Sequence, residues 1–88
     1  MDRSFPPRCY HSGRIRVDVH GATARVHVFS HSGATLQASW LVRTSDVMLA
    51  DPAGLLGPAF EDAHADAATV LAELRSSERR RFALSEAG

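Results

Sequence analysis

The chain has 88 residues, 44% hydrophobic and 23% charged, and its ten arginines balance ten acids with no lysine present. That size supports one domain (1–88) with a modest core, and the composition excludes an intrinsically disordered segment. No apolar run approaches the ~18–20 residues of a membrane span, and the opening "MDRSFPPRCY" lacks the apolar core of a secretion signal. The single cysteine, Cys9, excludes an intrachain disulfide and fits a reducing cytoplasm.

The charge is segregated although it sums to zero. Residues 1–44 carry six arginines against Asp2 and Asp18, residues 45–74 carry six acids and no base, and residues 75–88 are again basic. A small dipolar domain of this kind can dock by charge complementarity, including onto itself.

Residues 1–12 read as an irregular N-terminal arm. The first regular pattern is Arg14–His20, "RIRVDVH", with Ile15, Val17 and Val19 on one face. Ala24–Ser30 alternates again, with Ala24, Val26 and Val28 matching. Gly21-Ala22, glycine first, suits a two-residue II′ hairpin. That loop pairs Val19 with Ala24, Val17 with Val26 and Ile15 with Val28, and on the other face sets Asp18 against Arg25 as an ion pair.

A three-residue loop, His31-Ser32-Gly33, leads into a third strand over about Ala34–Val42. It pairs Val28 with Leu36, Val26 with Ala38 and Ala24 with Trp40, and places His27 beside Gln37. The apolar face must then be covered. Residues 43–57 are ambiguous: Val47–Ala50 fits a short fourth strand, Asp51-Pro52 a helix start, and Met48, Leu49, Leu55 and Leu56 either seal the core edge, the favoured reading, or form an exposed loop. After Gly57-Pro58 the positions Phe60, Ala63, Ala67, Val70, Leu71 and Leu74 follow helical spacing, with acids at the start and Arg75 further on, as the helix dipole prefers. Ser76-Ser77 invites a break, after which "ERRRFALSE" either continues as helix with Phe82 on the stripe, the favoured reading, or returns as a short strand with Phe82 and Leu84 inward. The expected fold is α+β: a three-stranded antiparallel β-meander, with a short fourth element allowed at 45–57, packed on one long C-terminal α-helix in β-β-β-α order.

Three histidines stand just ahead of glycines, in His11-Ser12-Gly13, His20-Gly21 and His31-Ser32-Gly33. Zinc needs ligands converging to about 2.1 Å. His27 and His31 lie about 13 Å apart along a strand, and His20 falls at the opposite sheet end. Only Cys9, His11 and His31 can approach one another, as a weak metal candidate without ligand spacing of a known type. No nucleophile elbow or phosphate loop is present. The cluster "EDAHAD" over 61–66 reads as an acidic helix start. A non-enzymatic protein with no catalytic residues and no cofactor is therefore expected.

The strand–strand–strand–helix order over roughly 14–75 is similar to the second half of a double-stranded-RNA-binding domain. That family opens its last helix with lysines, whereas "FEDAHADAA" brings Glu61, Asp62 and Asp66, so duplex RNA is not expected and no family is assigned.

Two surfaces stand out. The arginine-rich outer sheet face carries Arg14, Arg16, Arg25, His27, Phe29 and Gln37, the cations and ring of a single-stranded nucleic-acid platform. Strand three, "ATLQASWLV", has no charge or proline and is a poorly protected edge, so Leu36, Ala38 and Trp40 are candidates for pairing with another chain. The expected function is a small cytoplasmic interaction or regulatory module that binds a protein partner or itself as a homodimer. Single-stranded nucleic-acid binding on the outer face is the alternative.

Overall fold

The structure, a computed structural model, describes residues 8–87, with side chains described through residue 80. It is α+β: four antiparallel strands in the order β1-β2-β3-β4, followed by helices. The strands are β1 (Arg8–Ser12), β2 (Ile15–His20), β3 (Thr23–Phe29) and β4 (Leu36–Arg43). Two short helices follow, α1 (Thr44–Leu49) and α2 (Pro52–Leu56), then a 3₁₀ segment (Pro58–Ala63) and the long α3 (His64–Ala87).

The β2–β3 hairpin has the expected register. Val19 faces Ala24, Val17 faces Val26 and Ile15 faces Val28, and all six are fully buried. Gly21 has φ 63°, and among the described residues none other than glycine has positive φ, as a glycine-first II′ loop requires.

The sheet has four strands, not three. The expected irregular arm is strand from Arg8 onward, closed onto β2 by the two-residue loop Gly13-Arg14, which is also glycine-first. The inward side chains of β1 are Arg8, Tyr10 and Ser12, so the strand lacks apolar alternation. Their partner comes from α3. Its buried stripe runs Ala67, Val70, Leu71, Leu74 and then Glu78, a carboxylate where an apolar residue would continue the pattern. Arg8 Nε donates to Glu78 Oε2 at 2.6 Å, and the Tyr10 hydroxyl donates to Ser77 Oγ at 2.9 Å. The two breaks in hydrophobic pattern thus compensate each other, as buried charges demand. Helix α3 runs unbroken through Ser76-Ser77. The Phe82 side chain lies outside the described residues, as do residues 1–7 of the expected arm.

The β3–β4 connection is longer than expected. Ser30 N donates to Thr35 O at 2.7 Å, and the Ser30 and Ser32 hydroxyls bond the loop internally, Ser30 Oγ accepting from Thr35 N and Ser32 Oγ from Ala34 N. These local bonds replace the ladder that a three-residue loop would have continued. Val28 consequently faces Ala38, Val26 faces Trp40 and Ala24 faces Val42, two positions from the expected register. A two-residue shift preserves which side chains point inward. A bulge between Val28 and Phe29 adds one more residue and pairs Phe29 with Leu36, so Leu36 leaves the core face and is 49% exposed.

The segment over 44–56 forms the two helices α1 and α2 and contributes no strand, while Asp51-Pro52 is a helix start as expected. Helix α1 drives Val47 fully into the core, and α2 buries Leu55 and Leu56 with Asp51 Oδ1 accepting from Gly54 N at 2.5 Å as its N-cap. Arg75 of α3 closes the other end of α1: its Nε donates to Met48 O at 2.9 Å and its Nη2 to Ala50 O. The sealing role therefore falls to Leu55 and Leu56, with Met48 half-buried against the core, while Leu49 is 85% exposed. Helix α3 crosses β1 and β2, and α1 sits beside β3 and β4. Cover over β4 is thin, and Ala38, Trp40 and Val42 are only half-buried.

Candidate functional site

The outer sheet face is built in rows by the strand pairing. One row is Cys9, Asp18, Arg25 and Leu41; the next is His11, Arg16, His27 and Ser39; beyond it lies the pair Phe29 and Leu36. Asp18 is the electrostatic hub. Although Arg25 is its direct partner in register, the ion pairs are made to Arg16, whose Nε donates to Oδ1 at 3.0 Å, and to His27, whose Nε2 lies 3.2 Å from Oδ2. Arg25 turns the other way and donates to Ser39 Oγ at 3.3 Å. The expected Asp18–Arg25 ion pair is therefore replaced by a same-strand pair and a diagonal one.

Partial burial pushes the Asp18 carboxyl up, but hydrogen bonds from Arg16 and Cys9 and the charges of Arg16 and His27 outweigh it and hold it below the usual aspartate range. Burial, and then the bond to Asp18, push the Cys9 thiol up. Cys9 is therefore a neutral thiol near neutral pH, a donor more than a nucleophile. The His27 and Phe29 rings stack with centroids 6.3 Å apart at 22°.

Arg14 and Gln37 depart from the expected binding face. Arg14 lies in the β1–β2 loop with its side chain only 11% exposed. Its Nε donates to Phe29 O and its Nη2 to Gln37 Oε1, both at 2.8 Å. Its Nη1 is 2.8 Å from Asp62 Oδ2, near enough to ion-pair though not aligned for a hydrogen bond. This guanidinium clamps three chain segments together and is not free for a ligand. Gln37 is the bulged residue and serves as its acceptor; Ser39, not Gln37, stands beside His27. Desolvation pushes the Asp62 carboxyl up, but Arg14 and His31 hold it below the ordinary aspartate range, and its Oδ2 lies within ion-pair distance of His31 Nε2 at 3.1 Å.

The Cys9, His11 and His31 set does not assemble. Cys9 and His11 share the outer face of β1, whereas His31 engages Asp62. Among the described residues no three His, Cys, Asp or Glu side chains are placed to hold a metal ion.

The two His-Ser-Gly segments do meet in another way. A concavity of about 280 Å³ on the outer face is lined by Cys9, His11, Gly13, Arg16, Phe29 and Gly33. It joins the β1–β2 loop to the β3–β4 loop at one end of the sheet. Asp18, Gly13 and Gly33 were not legible as functional positions; the signal for Gly13 is its glycine-first pairing with Arg14, the same chemistry as Gly21-Ala22. A second groove of about 550 Å³ lies between the β2–β3 turn and α1, where Met48 and Leu49 line it.

Fold and surface together define a small α+β protein, a four-stranded antiparallel meander backed by one long helix, with a polar outer sheet face. Comparison with protein-family models, with curated proteins and with solved structures finds no match. Among the described residues no helix is long and apolar enough to cross a membrane.

Proposed function

We propose that the protein is a small non-enzymatic interaction module of the cytoplasm that pairs with a second copy of itself through the free edge of β4. The observation that carries this reading is the edge itself. β4 ends the sheet, and from Leu36 to Val42 it carries no charge and no proline. Such edges are normally blunted by charge, proline or cover.

The phase of the ladder identifies the groups on offer. Thr44 N donates to Ala22 O, so the even positions of β4 bond toward β3. By alternation the N–H and C=O groups of Ser39, Leu41 and Arg43 point away from the sheet. A two-fold pairing centred on Trp40 brings these odd positions together, Ser39 of one copy with Leu41 of the other. It also sets Ala38 against Val42, extends cover over the half-buried Trp40, and places no like charges opposite each other.

The test is sedimentation equilibrium over a concentration series with Ser39→Pro and Leu41→Lys. Proline at 39 removes an outward-pointing donor and the exposed Ser39 acceptor of Arg25, and lysine at 41 is a solvent-facing edge charge, so both variants are expected to be folded monomers where the parent is a dimer. A parent that stays monomeric at millimolar concentration, or a dimer indifferent to both changes, overturns the proposal.

A further inference from the structure

We propose that the outer-face concavity between the two His-Ser-Gly segments is a binding site for a single nucleotide unit, one base stacked on Phe29 with its phosphate held by Arg16 and His11. The site differs from the β4 edge in place and in chemistry.

The concavity supplies what such a ligand needs. Phe29 is stacked on His27 on one side, so its ring is held in place and presents its remaining surface to the cavity it lines. Aromatic rings of this kind stack any base, and adjacent cations take the phosphate. Arg16 is 47% exposed; its Nε bonds Asp18 and its side chain also meets the Cys9 thiol, and the exposed part of the guanidinium fork remains for an anion. His11 is exposed, and among the described residues its ring makes no hydrogen bond or ion pair. Gly33, where a Cβ would meet nothing within 4 Å, contributes a wall without a side chain, and Gly13 lines the opposite loop. The neutral Cys9 thiol adds no negative charge to oppose a phosphate.

Size limits the ligand. Ligand pockets run roughly 300–1,000 Å³, and about 280 Å³ falls just below that range. One base and its phosphate fit; a run of stacked bases does not. The unit has two sources, a free mononucleotide or the terminal nucleotide of a single strand.

Cys9 lines the site and is the only cysteine in the chain, so its alkylation rate reports occupancy. The full chain is treated with iodoacetamide at mildly alkaline pH, where enough Cys9 thiolate forms to react, in the presence of adenosine 5′-monophosphate, uridine 5′-monophosphate, adenosine, inorganic phosphate, or a short single-stranded oligonucleotide carrying a 5′-phosphate. Saturable, salt-sensitive protection of Cys9 by the mononucleotides is expected, with adenosine and phosphate each weaker. Protection by the mononucleotides alone identifies a free nucleotide as the source, and equal protection by the oligonucleotide identifies a strand end. Phe29→Leu, which keeps apolar bulk without the ring, and Arg16→Gln should each weaken protection roughly tenfold or more. Phe29→Tyr and the edge variant Leu41→Lys should keep it. Thermal melting of each variant separates lost binding from lost folding. No protection by any of the probes, or protection that phosphate alone reproduces and Phe29→Leu leaves intact, overturns the inference.

Discussion

Replacing Gly13 by alanine tests how the first hairpin is fastened to the helix. Gly13 has φ +54°, and a Cβ there would come inside 3.0 Å of the Asp66 carboxyl atoms. Alanine in the left-handed region costs about 1–2 kcal/mol. The Asp66 side chain can swing aside, but its Oδ2 accepts the Arg14 amide at 3.0 Å, and leaving that half-buried donor unmet costs about 1–3 kcal/mol. The expected loss is therefore about 2–5 kcal/mol, a large share of the ~5–15 kcal/mol that holds a small domain folded. Gly21 is an internal control: its φ is +63°, yet a Cβ there meets nothing within 4 Å. Gly21→Ala should show the backbone cost alone. Urea unfolding gives both values, and Asp66→Ala combined with Gly13→Ala completes a double-mutant cycle. If Gly13→Ala destabilises no more than Gly21→Ala, or if the two changes at 13 and 66 are additive, the proposed contact between loop and helix is wrong.

Two further outcomes follow from the same structure. The Asp18 carboxyl is lower in the folded protein than its ordinary value, so its contribution is fully present above the unfolded pKa of about 3.9 and is lost as pH falls through the folded value. Asp18→Asn should thus lower the urea midpoint near neutral pH and converge with the parent in acid; parallel curves down to about pH 2 would contradict the hub. Leu74 is fully buried in the helix stripe, so Leu74→Ala should cost about 2–5 kcal/mol and lower the melting temperature by more than about 8 °C, and a smaller fall in differential scanning calorimetry would show that α3 is not seated on the sheet as described.

Much of the fold is local and hence legible. Strict alternation in β2 and β3, joined by a glycine-first loop, leaves one register in which every inward residue meets an apolar partner. Helical spacing from Ala63 to Leu74 fixes the cover. Less of the candidate site is legible. Arg16, Arg25, His27 and Phe29 share the outer face as their strand parity requires. Arg14 and Gln37 do not serve there, because the loop position of one and the bulge at the other turn them toward each other.

What the chain determines by itself is therefore the parity and pairing of β2 with β3 and the amphipathic stripe of α3, because both depend on neighbours within one strand, one turn or one helix. What only the tertiary structure decides is β1, the exposure of Leu36 and the employment of Arg14 and His31. Arg8 and Tyr10 break the inward apolar pattern, and the Glu78 and Ser77 that satisfy them stand 70 and 67 residues away. No local window contains both halves of that bond. A polar residue that is unacceptable on a buried face alone becomes acceptable once a distant helix supplies its partner.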